Sequence, residues 1–213
     1  VSRLLPDDLG RVPWWLGAAG GVFVLAVAYL VASSLVRPSP PTRLPSSPSP
    51  AGVGDSLVED RVVTLDTRDR EEWRRFDFSR GAPVAGARRS EWDLAARRYR
   101  LIVNGGDQFA GRAGVVSLGA VPFDSVRRVP AEGYRGTRRD QGGDPEHPVL
   151  DGWYRYDFFS HLLLSRGRVF AVRTADGRYA KVAVVSYYCP GPEPGCLTIR
   201  YSYQGGGSRR VAR

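Results

Sequence analysis

The chain has 213 residues, 42 % of them hydrophobic, with 25 glycines, 16 prolines and a formal net charge of +9. That length holds one sizeable domain with appendages and excludes two large ones, while the Gly, Pro and aromatic content argues against a helical bundle. Residues 1–54 carry four arginines against two aspartates, so most of the excess positive charge lies downstream. Lys181 is the only lysine, and every other basic residue is arginine. A guanidinium binds phosphate in a bidentate way, but a codon bias towards arginine is the simpler explanation. Beside a membrane, such a domain would attract anionic lipid head groups, at about 1 kcal/mol per basic residue near the surface. An exported domain meets no nucleic acid, so none is expected as a partner.

Residues 1–13 read as a short cytoplasmic tail. From Trp14 to Val36 no side chain is charged, and at 1.5 Å per residue the run measures about 34 Å, enough to cross a hydrocarbon core of about 30 Å. A transmembrane helix over 14–36 is therefore expected. Trp14 and Trp15 suit the head-group level at one end, and Arg37 with Pro38 closes the other. A secretory signal peptide, cleaved near Ala32-Ser33-Ser34, is the competing reading, but the apolar run is longer than an ordinary signal core. Gly17, Gly21, Ala28 and Ala32 form a stripe of small residues on which a second helix could pack. Small residues are also common in membrane helices at large, and the two readings weigh equally.

Residues 37–54 hold six prolines among serines. Such a stretch favours an extended polyproline II spacer, up to roughly 50 Å long. Globular patterning begins at Asp55. A short helix is expected over Asp69–Phe76. Strands are expected at Tyr99–Asn104, Gly114–Leu118, Trp153–Phe159, Val169–Thr174, Tyr179–Tyr188 and Leu197–Tyr203. The last alternates Leu197, Ile199, Tyr201 and Tyr203 with Thr198, Arg200 and Ser202, which predicts one buried and one wet face. Asp176-Gly177 between apolar runs signals a hairpin. Arg127–Pro148, rich in Gly, Arg and Pro, reads as a long surface loop, and residues 206–213 as a basic tail. The fold class is mainly antiparallel β over 55–205, preceded by the single transmembrane helix.

Arg3 and Arg11 on one side of the helix balance Arg37 and Arg43 on the other, so charge does not orient it. The two cysteines, Cys189 and Cys196, flank a Pro- and Gly-rich loop that would close a hairpin and bring the thiols together. A disulfide is the preferred reading, a reduced structural pair the alternative; two thiols without a nearby histidine are too few for zinc. The disulfide implies an oxidising compartment, hence a periplasmic domain, a cytoplasmic N-terminus and an inner-membrane location.

The segments Glu91-Trp92-Asp93-Leu94-Ala95 and Asn104-Gly105-Gly106, the hairpin from Val169 to Val182, and the ending Ser186-Tyr187-Tyr188 with Leu197 to Tyr201 together resemble the HmuY-like family over most of residues 60–205. That resemblance implies a mostly β domain outside the cytoplasm on a membrane anchor, a lipid in known members and a helix here. It also implies haem held between two side-chain ligands.

Haem ligation uses His, Met, Cys or Tyr. The chain has no Met, which leaves His147 and His161 as candidate ligands for haem or a metal. The first lies in a Pro-flanked loop, where a solvated histidine is the plainer reading, and the second beside Leu162-Leu163-Leu164, where a satisfied half-buried one is. Asp144, Glu146 and His147 form only a weak metal set. No serine sits in a nucleophile elbow and the Gly205-Gly206-Gly207 tail precedes no helix, so no catalytic residue is expected. Two functions follow. One is a non-catalytic accessory subunit that braces the periplasmic face of a complex of integral membrane proteins. Its layout resembles accessory subunits of a photosynthetic reaction centre–light-harvesting assembly. The other is a haem-binding module.

Overall fold

In the computed structural model, the described residues are 14–35, 39–47, 56–85 and 91–213. They divide into two compact units. One holds the N-terminal helix and the turn Asp157–Leu162; the other holds Ser39–Tyr156 with Leu163–Arg213.

Helix α1 spans Trp14–Leu35, and Val36, the last residue of the expected span, lies outside the described residues. It is long and apolar enough to cross a membrane. Its large side chains stand open, Phe23 at 70 % and Leu25 at 71 % exposure. A helix that is apolar on every face needs lipid or protein around it. Residues 1–13, Arg37 and residues 48–54 lie outside the described residues.

The second unit is mainly β, with two single-turn 3-10 helices at Phe123–Ser125 and Leu150–Trp153. In chain order its strands are β1 (Leu57–Asp66), β2 (Arg74–Asp77), β3 (Ala82–Val84), β4 (Leu94–Arg97), β5 (Arg100–Val103), β6 (Gly114–Gly119), β7 (Arg138–Arg139), β8 (Pro145–Glu146), β9 (Tyr154–Asp157), β10 (Leu162–Ser165), β11 (Val169–Arg173), β12 (Tyr179–Cys189) and β13 (Glu193–Gln204). The main sheet has the order β1-β13-β12-β11-β6, and a second has β3-β2-β4-β5. Pairs β9–β10 and β7–β8 complete the set. All registered pairings are antiparallel.

The β11–β12 hairpin turns at Asp176-Gly177 as expected. Gly177 has φ +89°, and its amide donates to the Thr174 carbonyl at 3.0 Å. The expected alternation on β13 holds on one side only, because Thr198 and Ser202 are buried too. Strand β1, absent from the sequence reading, lies beside β13 in the same sheet and gives both groups a partner: Thr64 Oγ1 lies 3.0 Å from Thr198 Oγ1, and the Asp60 amide donates to Ser202 Oγ at 3.2 Å.

Between the sheets, Phe76 and Phe78 meet Tyr201, each with ring centroids 5.4 Å apart, and Phe78 stacks on Tyr203 at 6.2 Å. Such aromatic pairs stabilise beyond their buried area. They also explain why no helix forms over Asp69–Phe76. The Asp69 carboxylate accepts from the Glu71 and Glu72 amides at 2.8 and 3.0 Å, and the chain then enters β2, where Phe76 pairs with Leu94 and Pro83.

Two further expectations change. Of the spacer, residues 39–47 belong to the β unit: the Ser46 amide donates to the Thr64 carbonyl at 2.8 Å, and Thr42 bridges Tyr188. They belong to an edge of the domain. The stretch Arg127–Pro148 is also more than a surface loop. It contains β7 and β8, and it buries Thr137, whose hydroxyl donates to the Val103 carbonyl at 2.7 Å and accepts from the Val103 amide at 3.0 Å.

Candidate functional site

Cys189 and Cys196 close the β12–β13 hairpin as a disulfide with Cα atoms 4.8 Å apart. The pairing expected from the sequence is present, and no free cysteine occurs among the described residues.

His147 is fully buried. Its Nε2 donates to the Arg135 carbonyl at 2.9 Å, and its Nδ1 accepts from the Val149 and Leu150 amides, both at 3.3 Å. Burial holds its pKa down at about 4, so the ring is neutral. With both nitrogens engaged, it offers iron no lone pair. The sequence placed this histidine in a solvated loop; instead its ring joins Arg135 to the turn at Val149 and Leu150. The weak metal set dissolves with it. Asp144 pairs with Arg97 at 3.1 Å and Glu146 with Arg138 at 2.8 Å. Among the described residues, no three His, Cys, Asp or Glu side chains are grouped to hold a metal ion.

His161 differs in every respect. It is exposed, with φ +56°, in the turn Asp157–Leu162 of the first unit. The Asp157 carboxylate folds this turn, accepting from Ser160 Oγ at 2.7 Å and from the Phe159 amide at 3.4 Å. Phe158 and Phe159 are 70 % and 42 % exposed, and the Phe158 ring lies 6.1 Å from the imidazole. Haem needs an accessible nitrogen and apolar surface for its macrocycle. The turn sets one exposed histidine beside two exposed aromatic rings, where the resemblance implied two ligands.

Three charged groups that sequence reasoning passed over are structural. Asp93 accepts from the Ala175 amide at 2.8 Å and the Phe78 amide at 3.0 Å, tying the two sheets together, and burial lifts its pKa to about 7. Lys181 is buried and donates to the Phe123 and Val126 carbonyls at 3.0 and 2.8 Å. Desolvation lowers its pKa. Arg200 bridges Asp60 and, at 2.8 Å, Asp124. Lys181 and Arg200 lie within β12 and β13, and Asp93 lies just before β4. An open cavity of about 310 Å³ is lined by Arg70, Arg97, Arg98, Tyr99, Arg100 and Asp144. It is the structure's arginine-rich concavity, though Arg97 is already held over the Trp73 ring at 4.7 Å.

On α1, Trp14 and Trp15 are exposed at the first turn. A Cβ built on Gly17 or Gly21 meets nothing within 4 Å, and Ala28 and Ala32 share an apolar groove with Val24, Val31 and Leu35. The small-residue stripe is thus open along its length.

No family model matches the sequence, and no curated protein does either. Solved structures do match. The apo HmuY analogue (TFO) of Tannerella forsythia superposes with a TM-score of 0.58 at 17 % identity, covering 70 % of this chain and 97 % of that one. A Bacteroides vulgatus protein, provisionally described as HmuY-like and haem-binding, gives 0.54 at 20 % identity, covering 69 % and 93 %. A provisionally assigned lipoprotein of Bacteroides fragilis gives 0.55 at 16 % identity, covering 68 % and 90 %. At these identities the likeness establishes the fold: the β unit has the HmuY-like architecture.

Proposed function

We propose that this chain is a membrane-tethered extracytoplasmic binding protein on the HmuY-like fold, with haem as its ligand class and His161 as the ligand it contributes. The observation that carries the reading is the match across 97 % of an HmuY analogue, combined with an exposed imidazole set among Phe158 and Phe159. The disulfide supports an oxidising compartment. With the helix spanning the inner membrane, the N-terminus lies in the cytoplasm and the β unit in the periplasm. No catalytic constellation enters the proposal; the chain binds and does not turn over.

The test is titration of the full chain in mild detergent with haem. The expected result is a Soret band that saturates, is lost in His161→Ala and persists in His147→Gln. No band in the parent chain, or an unchanged one in His161→Ala, would end the haem assignment.

A second reading rests on different observations. His147 is committed to backbone contacts, and the open stripe Gly17, Gly21, Ala28 and Ala32 invites a helix. These favour a non-catalytic accessory subunit that docks α1 on integral membrane proteins and braces their extracytoplasmic face. Its narrower form, a photosynthetic reaction centre–light-harvesting assembly, draws nothing from the solved structures that share the fold. Gly21→Leu should release such a chain from its partners in mild detergent; unchanged co-purification would rule the stripe out.

A further inference from the structure

We propose that the turn Asp157–Leu162 is a second membrane contact, with Phe158 and Phe159 seated among the lipids of the leaflet on the β domain's side. The helix and this turn form one compact unit, and the Phe159 ring meets Tyr29 of α1 edge to face, with centroids 6.3 Å apart. Tyr29 lies six residues before Leu35, so about 9 Å of helix separates it from the C-terminal end of α1. A side chain that touches Tyr29 is therefore at lipid depth when the helix spans a bilayer whose apolar core is about 30 Å thick.

The turn is chemically suited to that depth. Phe158 and Phe159 are exposed together with His161, and the turn's one acid, Asp157, is spent on Ser160 and the Phe159 amide. Along the chain the polarity rises on both sides, through Tyr156 and Arg155 before it and through Ser165, Arg166 and Arg168 after it. That order of apolar tip, tyrosine and arginine follows the layering of a membrane interface, where aromatic rings sit at the head groups and guanidinium groups meet phosphate. Lipid is favoured over a protein occupant because the turn's partner within the structure is the membrane helix itself.

The proposal depends on α1 spanning the bilayer and involves the same two rings that the haem reading sets beside His161, but its test needs no haem. The full chain, its disulfide intact, would carry a single nitroxide label at Phe158→Cys and be reconstituted into phosphatidylcholine–phosphatidylglycerol nanodiscs. Collision with oxygen, which concentrates in lipid, is compared with collision with a water-soluble nickel chelate. Phe23→Cys in mid-helix reports on the anchor, and Gly142→Cys on an aqueous loop. The expected result is an oxygen-to-nickel ratio at Phe158 severalfold above Gly142 and approaching Phe23. A Phe158 ratio equal to Gly142, with Phe23 at its lipid value, overturns the proposal. That outcome would show the turn in water, or reserved for a protein partner. A Phe23 ratio equal to Gly142 overturns the anchor reading and this proposal with it.

Discussion

Two buried groups make opposing demands on pH, and His147→Gln should separate them. In the fold the His147 pKa falls from 6.5 to about 4 by desolvation. A depressed histidine contributes stability that is present above 6.5 and is lost as pH falls towards 4. At 1.36 kcal/mol per unit, the span is about 3 kcal/mol. Asp93 runs the other way: burial raises it from 3.8 to about 7, and Asp77 adds to the effect. Its contribution is present below the ordinary carboxylate value and is lost as pH rises towards 7, a span of about 4 kcal/mol. Asp151, raised by burial, acts in the same direction as Asp93. The lowered carboxylates Asp60, Asp66, Asp69 and Asp140 act mainly below pH 4. Between pH 4 and 7 the parent chain should therefore show a nearly flat stability.

Glutamine at 147 can donate to the Arg135 carbonyl and accept from a backbone amide without titrating, so the variant keeps part of the contact and loses the proton equilibrium. Guanidinium unfolding of the full chain in mild detergent, followed by tryptophan fluorescence at half-unit pH steps, would read the difference. The variant should lose about 3–4 kcal/mol as pH rises from 4 to 7. Asp93→Asn should show the reverse slope. A variant whose profile parallels the parent would refute the assignment of His147 as a neutral, buried group.

Other consequences are as direct. Lys181→Met leaves the Phe123 and Val126 carbonyls without their donor and should cost about 2–3 kcal/mol in urea unfolding; a loss under 0.5 kcal/mol would contradict its structural role. Reduction of Cys189–Cys196 should lower stability by about 2–3 kcal/mol with the fold retained by circular dichroism. Gly105→Ala would drive a Cβ to 2.0 Å from the Ala113 carbonyl oxygen, so it should abolish soluble folded protein, where Gly142→Ala should be tolerated.

The sequence disclosed the elements whose signals are local. Charge-free length marked α1, period-two alternation marked β13, and Asp176-Gly177 marked the turn between β11 and β12. In the second sheet β5 falls within the expected strand Tyr99–Asn104, while β2, β3 and β4 escaped because each is only three or four residues long, too short for a period to declare itself. Asp69–Phe76 misled because charged residues mimic a helical face, while the deciding contact, Phe76 against Tyr201, joins residues far apart in sequence. The histidines inverted for the same reason. Prolines around His147 suggested solvent, yet Arg135 and Leu150 enclose it. The leucines after His161 suggested burial, yet the turn that holds it is exposed. Whether a side chain faces core or water is set by tertiary neighbours, which composition does not reveal.

The most decisive measurement is purification of the full chain from its native membrane in mild detergent, followed by a reduced-minus-oxidised absorption spectrum and a subunit inventory of the same sample. A binding protein of this fold should carry haem bands in proportion to the chain, without stoichiometric companions. A haem-free chain that co-purifies in fixed ratio with integral membrane subunits would contradict that account and establish the accessory-subunit reading in its place.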